Sequence, residues 1–288
     1  MSTPPRMSSP SSLLEVRDLQ VSFGRRRAEA VRGVSFSLES GQRLGVIGES
    51  GSGKTVTALA VLGLLPENAH VSGSVRLAGT ELVGLPEQRL ARLRGDAMSM
   101  VFQEPMTALD PTMRVGRQVA EVLRLHQGAE PGRARERVVE MLGEVGLDDP
   151  ERVADAFPHQ LSGGQRQRAV LAMALINSPG LVICDEPTTA LDVTVQARVL
   201  ARLDEALDSS GAACLFISHD LAVVSQVCDQ VLVMLDGRVV ESGSVATLFT
   251  AAEHPYTRGL VATARLDQVE PGERLPTVED FYAGADHG

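Results

Sequence analysis

One stretch of eight residues constrains the fold of this chain more than any other. Its residues are Gly48-Glu49-Ser50-Gly51-Ser52-Gly53-Lys54-Thr55. It lies between a short apolar run at 44–47 and a helix-length segment at 56–62. Glycines allow a loop to turn its backbone N–H groups inward, and the N-terminus of the following helix adds partial positive charge. The stretch therefore predicts a strand, a loop that encloses an anion, and a helix.

The basic residues of the chain single out the same loop. Lysine and arginine together number 27, of which 26 are arginine, so Lys54 is the only lysine. A planar guanidinium cannot replace a compact ammonium that is enclosed by a phosphate-binding loop. We therefore predict that Lys54 reaches the β- and γ-phosphates of a nucleotide and that Thr55 ligates Mg²⁺. The alternative is a glycine-rich turn that matches the pattern by chance.

The composition is that of a soluble globular protein. The chain has 288 residues, of which 43% are hydrophobic and 22% charged, and its net charge is −10. An acidic chain offers little to a polyanion, which disfavours nucleic-acid binding apart from a local basic patch. No apolar run approaches the roughly 20 residues of a membrane-spanning helix. Residues 1–12, rich in serine and proline, are expected to form a disordered leader, and the three cysteines are expected to be buried.

Changes of hydrophobic period along the chain predict an α/β fold. Apolar residues alternate at 13–23 and 31–38, which is typical of an antiparallel β layer. Between 115 and 147 they recur every three or four residues, which predicts an inserted, mainly helical subdomain. Three buried strands are predicted further on, at 181–184, 213–217 and 230–234. Strands that alternate with helices imply a parallel sheet that binds ligands at the carboxyl ends of its strands.

An acidic pair follows the first of these three strands. Asp185 and Glu186 come directly after the apolar run 181–184. A strand that ends beside the phosphates can deliver one carboxylate to Mg²⁺ and another to the attacking water. We expect Asp185 to bind Mg²⁺ through water and Glu186 to polarise the water that attacks the γ-phosphate. By itself such a pair is more often a helix N-cap, but the loop at 48–55 reverses that preference.

A second glycine-rich motif, Leu161-Ser162-Gly163-Gly164-Gln165, ends 20 residues before the acidic pair. Its serine and its glycine amides stand at the start of a predicted helix, where they make an anion site. With the loop and the acidic pair in this order, the chain resembles the ATP-binding-cassette (ABC) ATPases. In that family the pentapeptide closes over ATP held by a second cassette. The resemblance therefore implies a dimer, with Ser162, Gly163, Gly164 and Gln165 facing the partner's ATP.

Four further positions match functional residues of that family. Gln103, after a predicted strand, resembles the glutamine that senses Mg²⁺ and water and joins the core to the helical insertion. His219 resembles the histidine that contacts the γ-phosphate and orients Glu186. Asp192 lies in the segment that crosses the dimer seam, and Phe23 occupies the position of a ring that stacks on adenine. Taken singly, these residues would be a strand cap, a surface turn, a helix N-cap and a core residue.

The resemblance implies an α/β fold of the P-loop NTPase class. This ABC-type nucleotide-binding domain would span 13–250, with an antiparallel β layer and an inserted helical subdomain. The RecA-like core would be about 13–103 and 178–250, and the helical subdomain about 104–177. Residues 251–288 would form a short C-terminal extension.

Longer motifs narrow the resemblance to the oligopeptide, dipeptide and nickel importer group. They are the segments 102–111, 115–118, 157–160, 185–197 and 254–260. The last of these has a plainer interpretation as a proline-started helix that docks the C-terminus. The implied function is an ATP-binding and ATP-hydrolysing subunit, working with ATP and Mg²⁺, that energises import. Many peptide importers carry a cysteine-bearing tail; residues 275–282 contain no cysteine, which leaves both peptides and nickel or metal chelates as cargo.

This function implies partners and a location. The partners are a second ABC ATPase subunit, identical or related, two membrane permease subunits and, indirectly, an external substrate-binding protein, with no nucleic acid. The chain would lie on the cytoplasmic face of the cell membrane. The alternative is a cytosolic non-transport ABC ATPase that acts on nucleic acid or a protein complex. Such proteins usually carry paired cassettes, coiled-coil or zinc insertions, or basic surfaces, and the sequence has none of these.

Overall fold

The structure is a computed structural model and describes residues 12–102, 108–188, 193–264 and 281–282, without the side chains of 193 and 194. Gln103 and Asp192, to which the sequence assigns functions, lie outside these ranges. The described residues form two β-sheets, with helices packed around the second sheet.

The first sheet is antiparallel. Its strands are β1 (Leu14–Phe23), β2 (Ala28–Leu38), β4 (Ala69–Leu77) and β5 (Thr80–Glu81), in the order β2-β1-β4-β5. Leu14 and Val16 are buried, as the period-two pattern predicts, and after a register shift so are Leu19 and Val21. The predicted antiparallel layer is therefore confirmed.

The second sheet brings the loop at 48–55, the acidic pair and His219 to one edge. Its strands are β3 (Arg43–Ile47), β6 (Met98–Val101), β7 (Leu181–Asp185), β8 (Ala213–Ser218), β9 (Gln230–Leu235) and β10 (Arg238–Ser244). Their order is β10-β9-β3-β8-β7-β6, and only β10 runs antiparallel to its neighbour. Ile47 pairs with Ser218 and Asp185 pairs with Ile217, so the segments that follow β3, β7 and β8 leave the sheet together.

Helices cover both faces of this sheet. They include α1 (Lys54–Leu62), α2 (Glu87–Leu93), α6 (Gly163–Leu175), α7 (Val193–Ser210), α8 (Leu221–Val227), α9 (Val245–Ala251) and α10 (Pro255–Ala264). Neighbouring residues of β7 belong to different core clusters: Ile183 packs with α1 and the antiparallel layer, whereas Cys184 packs with α6, α7 and α8. All three cysteines are buried thiols without a disulfide.

The predicted helical insertion lies between β6 and α6. It contains α3 (Val115–Gln127), α4 (Pro131–Glu144) and α5 (Pro150–Asp155), followed by a short 3₁₀ turn, Pro158–Gln160. The residues at three- and four-residue spacing, such as Val119, Leu123 and Val138, form its buried core. Within the described ranges, no helix combines the length and the apolar character that crossing a membrane requires.

Gly45 in β3 provides the basis for a test of this packing. A methyl group at Gly45 would lie 2.3 Å from Cγ1 of Val224 in α8. Overpacking a core costs about 1–3 kcal/mol. We therefore expect Gly45→Ala to lower the free energy of unfolding by about that amount, as measured by urea denaturation of the purified chain.

Gly132 in α4 supplies the matched control. A methyl group there would meet nothing within 4 Å, and alanine exceeds glycine in helix propensity by about 1 kcal/mol. Gly132→Ala should leave the free energy of unfolding unchanged or raise it. If both variants lost the same free energy of unfolding, the close approach of α8 to Gly45 would not be the cause of the loss.

Candidate active site

Two glycines of the loop between β3 and α1 lie too close to neighbouring backbone to carry a side chain. Gly48 has a φ of 153° and Gly53 a φ of 99°, values that residues with a side chain rarely adopt. A Cβ atom at Gly48 would lie 2.2 Å from the carbonyl oxygen of Met234, and one at Gly53 would lie 2.6 Å from that of Ala30. These two positions let the loop lie directly against neighbouring backbone and let α1 begin at Lys54.

Lys54 closes the loop from within. Its side chain is almost fully buried, and its Nζ donates hydrogen bonds to the carbonyl oxygens of Gly48 and Glu49 at 2.7 and 2.8 Å. Burial lowers the pKa of Lys54, and the carboxylates of Glu186 and Asp185 act in the opposite direction. A phosphate in the loop would add negative charge beside the ammonium and would favour its protonated form further.

Thr55 connects the first turn of α1 to the end of β7. Its Oγ1 donates a hydrogen bond to Oδ1 of Asp185 at 3.1 Å. Burial raises the pKa of Asp185, the charge of Glu186 adds to this effect, and the Thr55 hydrogen bond and Lys54 oppose it. A hydroxyl and a carboxylate are hard oxygen ligands of the kind that Mg²⁺ takes, so these two side chains fit a Mg²⁺ site.

The protein ligands at this site also indicate which other groups would complete the coordination shell of a metal ion. Within the described part of the chain, no group of three or more His, Cys, Asp or Glu side chains is arranged to hold a metal ion. Mg²⁺ is commonly bound by one or two protein ligands together with substrate phosphates and water. The pair Thr55 and Asp185 matches that mode rather than a metal site built from protein alone.

Glu186 and His219 meet across the ends of β7 and β8. Oε2 of Glu186 lies 3.3 Å from Nδ1 of His219, and the His219 side chain is 55% exposed whereas that of Glu186 is 18% exposed. The backbone of Glu186 is left-handed, with a φ of 46°. Its N–H donates to the carbonyl oxygen of Ile217 at 2.9 Å, which holds this unfavourable turn in place. A carboxylate held in this way can accept a proton from water.

Lys54, Thr55, Glu186 and His219 line one cavity of about 640 Å³, a volume typical of small-molecule sites, whereas Asp185 is not among the described residues of its wall. The predicted residues in its wall are Ser50, Gly51, Gly53, Lys54, Thr55, Glu186 and His219. Ser52, also in the loop, is buried and does not line the cavity; its Oγ lies 3.5 Å from Nζ of Lys54. Phe23 lies half-buried at the end of β1 and is not among the described residues of the cavity wall.

Besides the loop and α1, the wall contains three residues to which sequence reasoning assigned no role. They are Ala30, Leu260 and Thr263. Leu260 and Thr263 belong to α10, in the segment interpreted as a C-terminal extension. The motif at 254–260 was the only sequence feature that pointed to this part of the wall, because it marks the start of α10. It did not indicate where the helix packs.

The second glycine-rich motif lies on a different part of the surface. Ser162 caps α6: its Oγ accepts a hydrogen bond from the Gln165 N–H at 3.3 Å, and Oε1 of Gln165 accepts one from the Ser162 N–H at 3.0 Å. Ser162 and Gly163 are exposed. With Gly164, they line a second cavity of about 670 Å³ that shares no described residue with the first. The motif therefore does not meet the phosphate loop of its own chain.

Arg168 fixes the start of α6 relative to the helical insertion. Its Nε donates to the carbonyl oxygen of Gly164 at 3.2 Å, and its Nη1 donates to that of Gly146 at 2.7 Å. Gly146 follows α4, so one side chain holds the second motif against the insertion. The exposed N-terminus of α6 is thus bonded to the helical insertion.

Comparisons with known proteins identify the family of this chain. A family model described as ABC transporter matches residues 31–189. The oligopeptide transport ATP-binding protein OppD of Mycobacterium tuberculosis is 52% identical over 272 residues, which are 92% of this chain and 44% of the relative. The chain thus spans about half the length of that relative. OppD of Escherichia coli K12 is 46% identical over 270 residues, covering 93% of this chain and 80% of the relative.

A solved structure shows the same fold. The ATP-binding cassette MJ0796, in a dimeric post-hydrolysis state bound to ADP and Pi, aligns with a TM-score of 0.70 and 26% identity, covering 81% of this chain and 98% of that chain. The family model and the relatives confirm the resemblance drawn from the motifs. The structural neighbour confirms the predicted α/β fold of the P-loop NTPase class. The chain belongs to the ABC transporter family.

Proposed function

We propose that this chain is the ATP-binding and ATP-hydrolysing subunit of an importer, with peptides as its cargo. One observation carries the enzymatic part: Lys54, Thr55, Glu186 and His219 line one cavity, and Asp185 accepts a hydrogen bond from Thr55. The cargo class is supported by two relatives that are named for oligopeptide transport and cover most of this chain. No relative reported above is named for nickel transport, so we favour peptides over metal chelates.

The chemistry proposed for the site follows from the positions of its side chains. The loop amides and the ammonium of Lys54 bind the phosphates of ATP. Thr55 and Asp185 would hold Mg²⁺, which when bound neutralises charge on the phosphates. Glu186 polarises the attacking water and accepts its proton, while His219 fixes the orientation of that carboxylate and, being exposed, can contact the γ-phosphate.

The second glycine-rich motif supports a dimer. Ser162 and Gly163 are exposed at the N-terminus of α6, a place that binds anions, and they stand apart from the phosphate loop of their own chain. We infer that Ser162, Gly163 and Gly164 bind the ATP of a second ATPase subunit. The dimeric state of the MJ0796 cassette supports this inference. The dimer-seam role of Asp192, the Mg²⁺-sensing role of Gln103 and the adenine-stacking role of Phe23 stay predictions.

Import requires further partners. We propose two permease subunits, contacted at the cytoplasmic face of the membrane, and an external substrate-binding protein that reaches the complex through them. Affinity purification of the tagged chain from solubilised membranes of its host tests this assembly. Permeases and a second ATPase should co-purify, and peptide-loaded binding protein should stimulate ATP hydrolysis. Recovery of ribosomes or DNA in their place would overturn the proposal in favour of a cytosolic ABC ATPase.

The role of Glu186 can be tested by removing its basicity. Glu186→Gln keeps the size and shape of the side chain but cannot accept a proton, so we expect kcat for ATP hydrolysis to fall roughly 100-fold or more. Affinity for ATP, measured by equilibrium titration, should be kept. Glu67→Gln, at an exposed position outside the cavity, is the control and should leave both quantities unchanged. Hydrolysis at the normal rate by Glu186→Gln would remove Glu186 from its assigned role.

The role of Lys54 can be tested by a substitution that keeps the charge. Lys54→Arg places a planar guanidinium where the enclosed loop holds an ammonium, so we expect the Kd for ATP to rise roughly 10- to 100-fold. Lys54→Ala should lose affinity at least as strongly. Circular dichroism and unfolding of both variants control for loss of the fold. If Lys54→Arg bound ATP with the affinity of the unmodified chain, the loop would not require a compact ammonium at this position.

A further inference from the structure

A buried hydroxyl from α10 is bonded to the phosphate loop. Tyr256 lies in the first turn of α10 and is 1% exposed. Its Oη accepts a hydrogen bond from the backbone N–H of Glu49 at 2.7 Å, across 207 positions of sequence. Burial raises the pKa of Tyr256 to about 12, so the side chain stays a neutral phenol under physiological conditions.

The same residue of the loop is linked to the ammonium of Lys54. The carbonyl oxygen of Glu49 accepts a hydrogen bond from Nζ of Lys54 at 2.8 Å. Glu49 therefore contacts Tyr256 through its N–H and Lys54 through its C=O. A residue that fixes the position of Glu49 also limits where the ammonium can lie.

Tyr256 is itself anchored from several sides. Its N–H donates to Nδ1 of His254 at 3.2 Å. The carboxylate of Glu241 in β10 accepts hydrogen bonds from the N–H groups of Glu253 and His254 at 2.9 and 3.0 Å. The ring of Tyr282 packs edge-on against Tyr256, with the ring centroids 5.9 Å apart. Together these contacts give the phenol a fixed position relative to β10.

The helix that carries Tyr256 also forms a wall of the nucleotide cavity. Leu260 and Thr263 follow Tyr256 by four and seven positions, a spacing that places all three residues on one face of α10. Both line the cavity, as does Glu49. This face of α10 therefore touches the loop through Tyr256 and the cavity through the next two turns.

We propose that Tyr256 is a positioning residue of the nucleotide site, which holds Glu49 and, through it, the phosphate loop in its binding conformation. Removing the hydroxyl leaves the Glu49 N–H without this acceptor and lets the loop sample more conformations. Because only part of that ensemble binds phosphates, the apparent affinity for ATP falls. The inference rests on ATP being the ligand of this cavity.

The two tyrosines of the chain allow a matched comparison, since there are no others and no tryptophan. Tyr256→Phe removes the bonded hydroxyl and keeps the ring, and we expect it to raise the Kd and KM for ATP roughly three- to tenfold. Its kcat at saturating ATP should stay within about twofold of the unmodified chain, because the occupied loop is held by the phosphates. Tyr282→Phe also removes one hydroxyl and should leave Kd, KM and kcat unchanged.

Tyrosine fluorescence adds a direct readout. In Tyr282→Phe the remaining tyrosine emission comes from Tyr256 alone, and it should change when ATP is added. Unchanged affinity for ATP in Tyr256→Phe would overturn the proposal even if the melting temperature fell, since Tyr256 would then be only a core residue. Failure of the unmodified chain to bind ATP would instead count against the proposed function.

A second variant keeps the inference testable if Tyr256→Phe does not fold. Glu241→Gln weakens the anchor at the start of α10 without touching the cavity wall. It should raise the Kd for ATP about twofold, in the same direction as Tyr256→Phe, with kcat unchanged. An affinity equal to that of the unmodified chain would then overturn the proposed link between α10 and the loop.

Discussion

The buried ammonium of Lys54 is the interaction on which the nucleotide site depends. A charge removed from water is tolerated only where it is paired and hydrogen-bonded, and here two loop carbonyls and the nearby carboxylates of Asp185 and Glu186 do this. The loop, the end of β7 and Lys54 thus stabilise one another. When phosphates bind, the ammonium exchanges partners without a second desolvation, so more of the interaction is available as affinity.

The order of the strands explains why distant residues meet. β3 and β7 both border β8, and all three are parallel, so the loop after β3, Glu186 after β7 and His219 after β8 leave the same edge of the sheet. This is the general place for ligands in a parallel sheet. A site built in this way depends on strand register. The pairing of Asp185 with Ile217 puts the two acidic residues level with the start of the loop that carries His219.

Much of this site was predictable because each of its parts has a local signature. Glycine spacing marks the loop around Lys54, and an apolar run before Asp185 and Glu186 marks a strand that ends in carboxylates. The contribution of α10 was not predictable in that way. Proline at 255 indicates where the helix begins, but its docking depends on which apolar surfaces the rest of the chain leaves uncovered. β10 was not predicted from the sequence, because apolar and polar residues do not alternate along Arg238–Ser244 and the strand is only partly buried.

The state of Ser162 bears on how a second subunit can use it. Its Oγ accepts the Gln165 N–H within α6, yet a hydroxyl that accepts a hydrogen bond can still donate one. The reciprocal bond from the Ser162 N–H to Gln165 holds this turn rigid while Ser162 stays exposed. Capping and phosphate binding therefore do not compete. The helix N-terminus is thus capped within one chain while Ser162 and Gly163 stay exposed, which is compatible with the anion binding proposed for them.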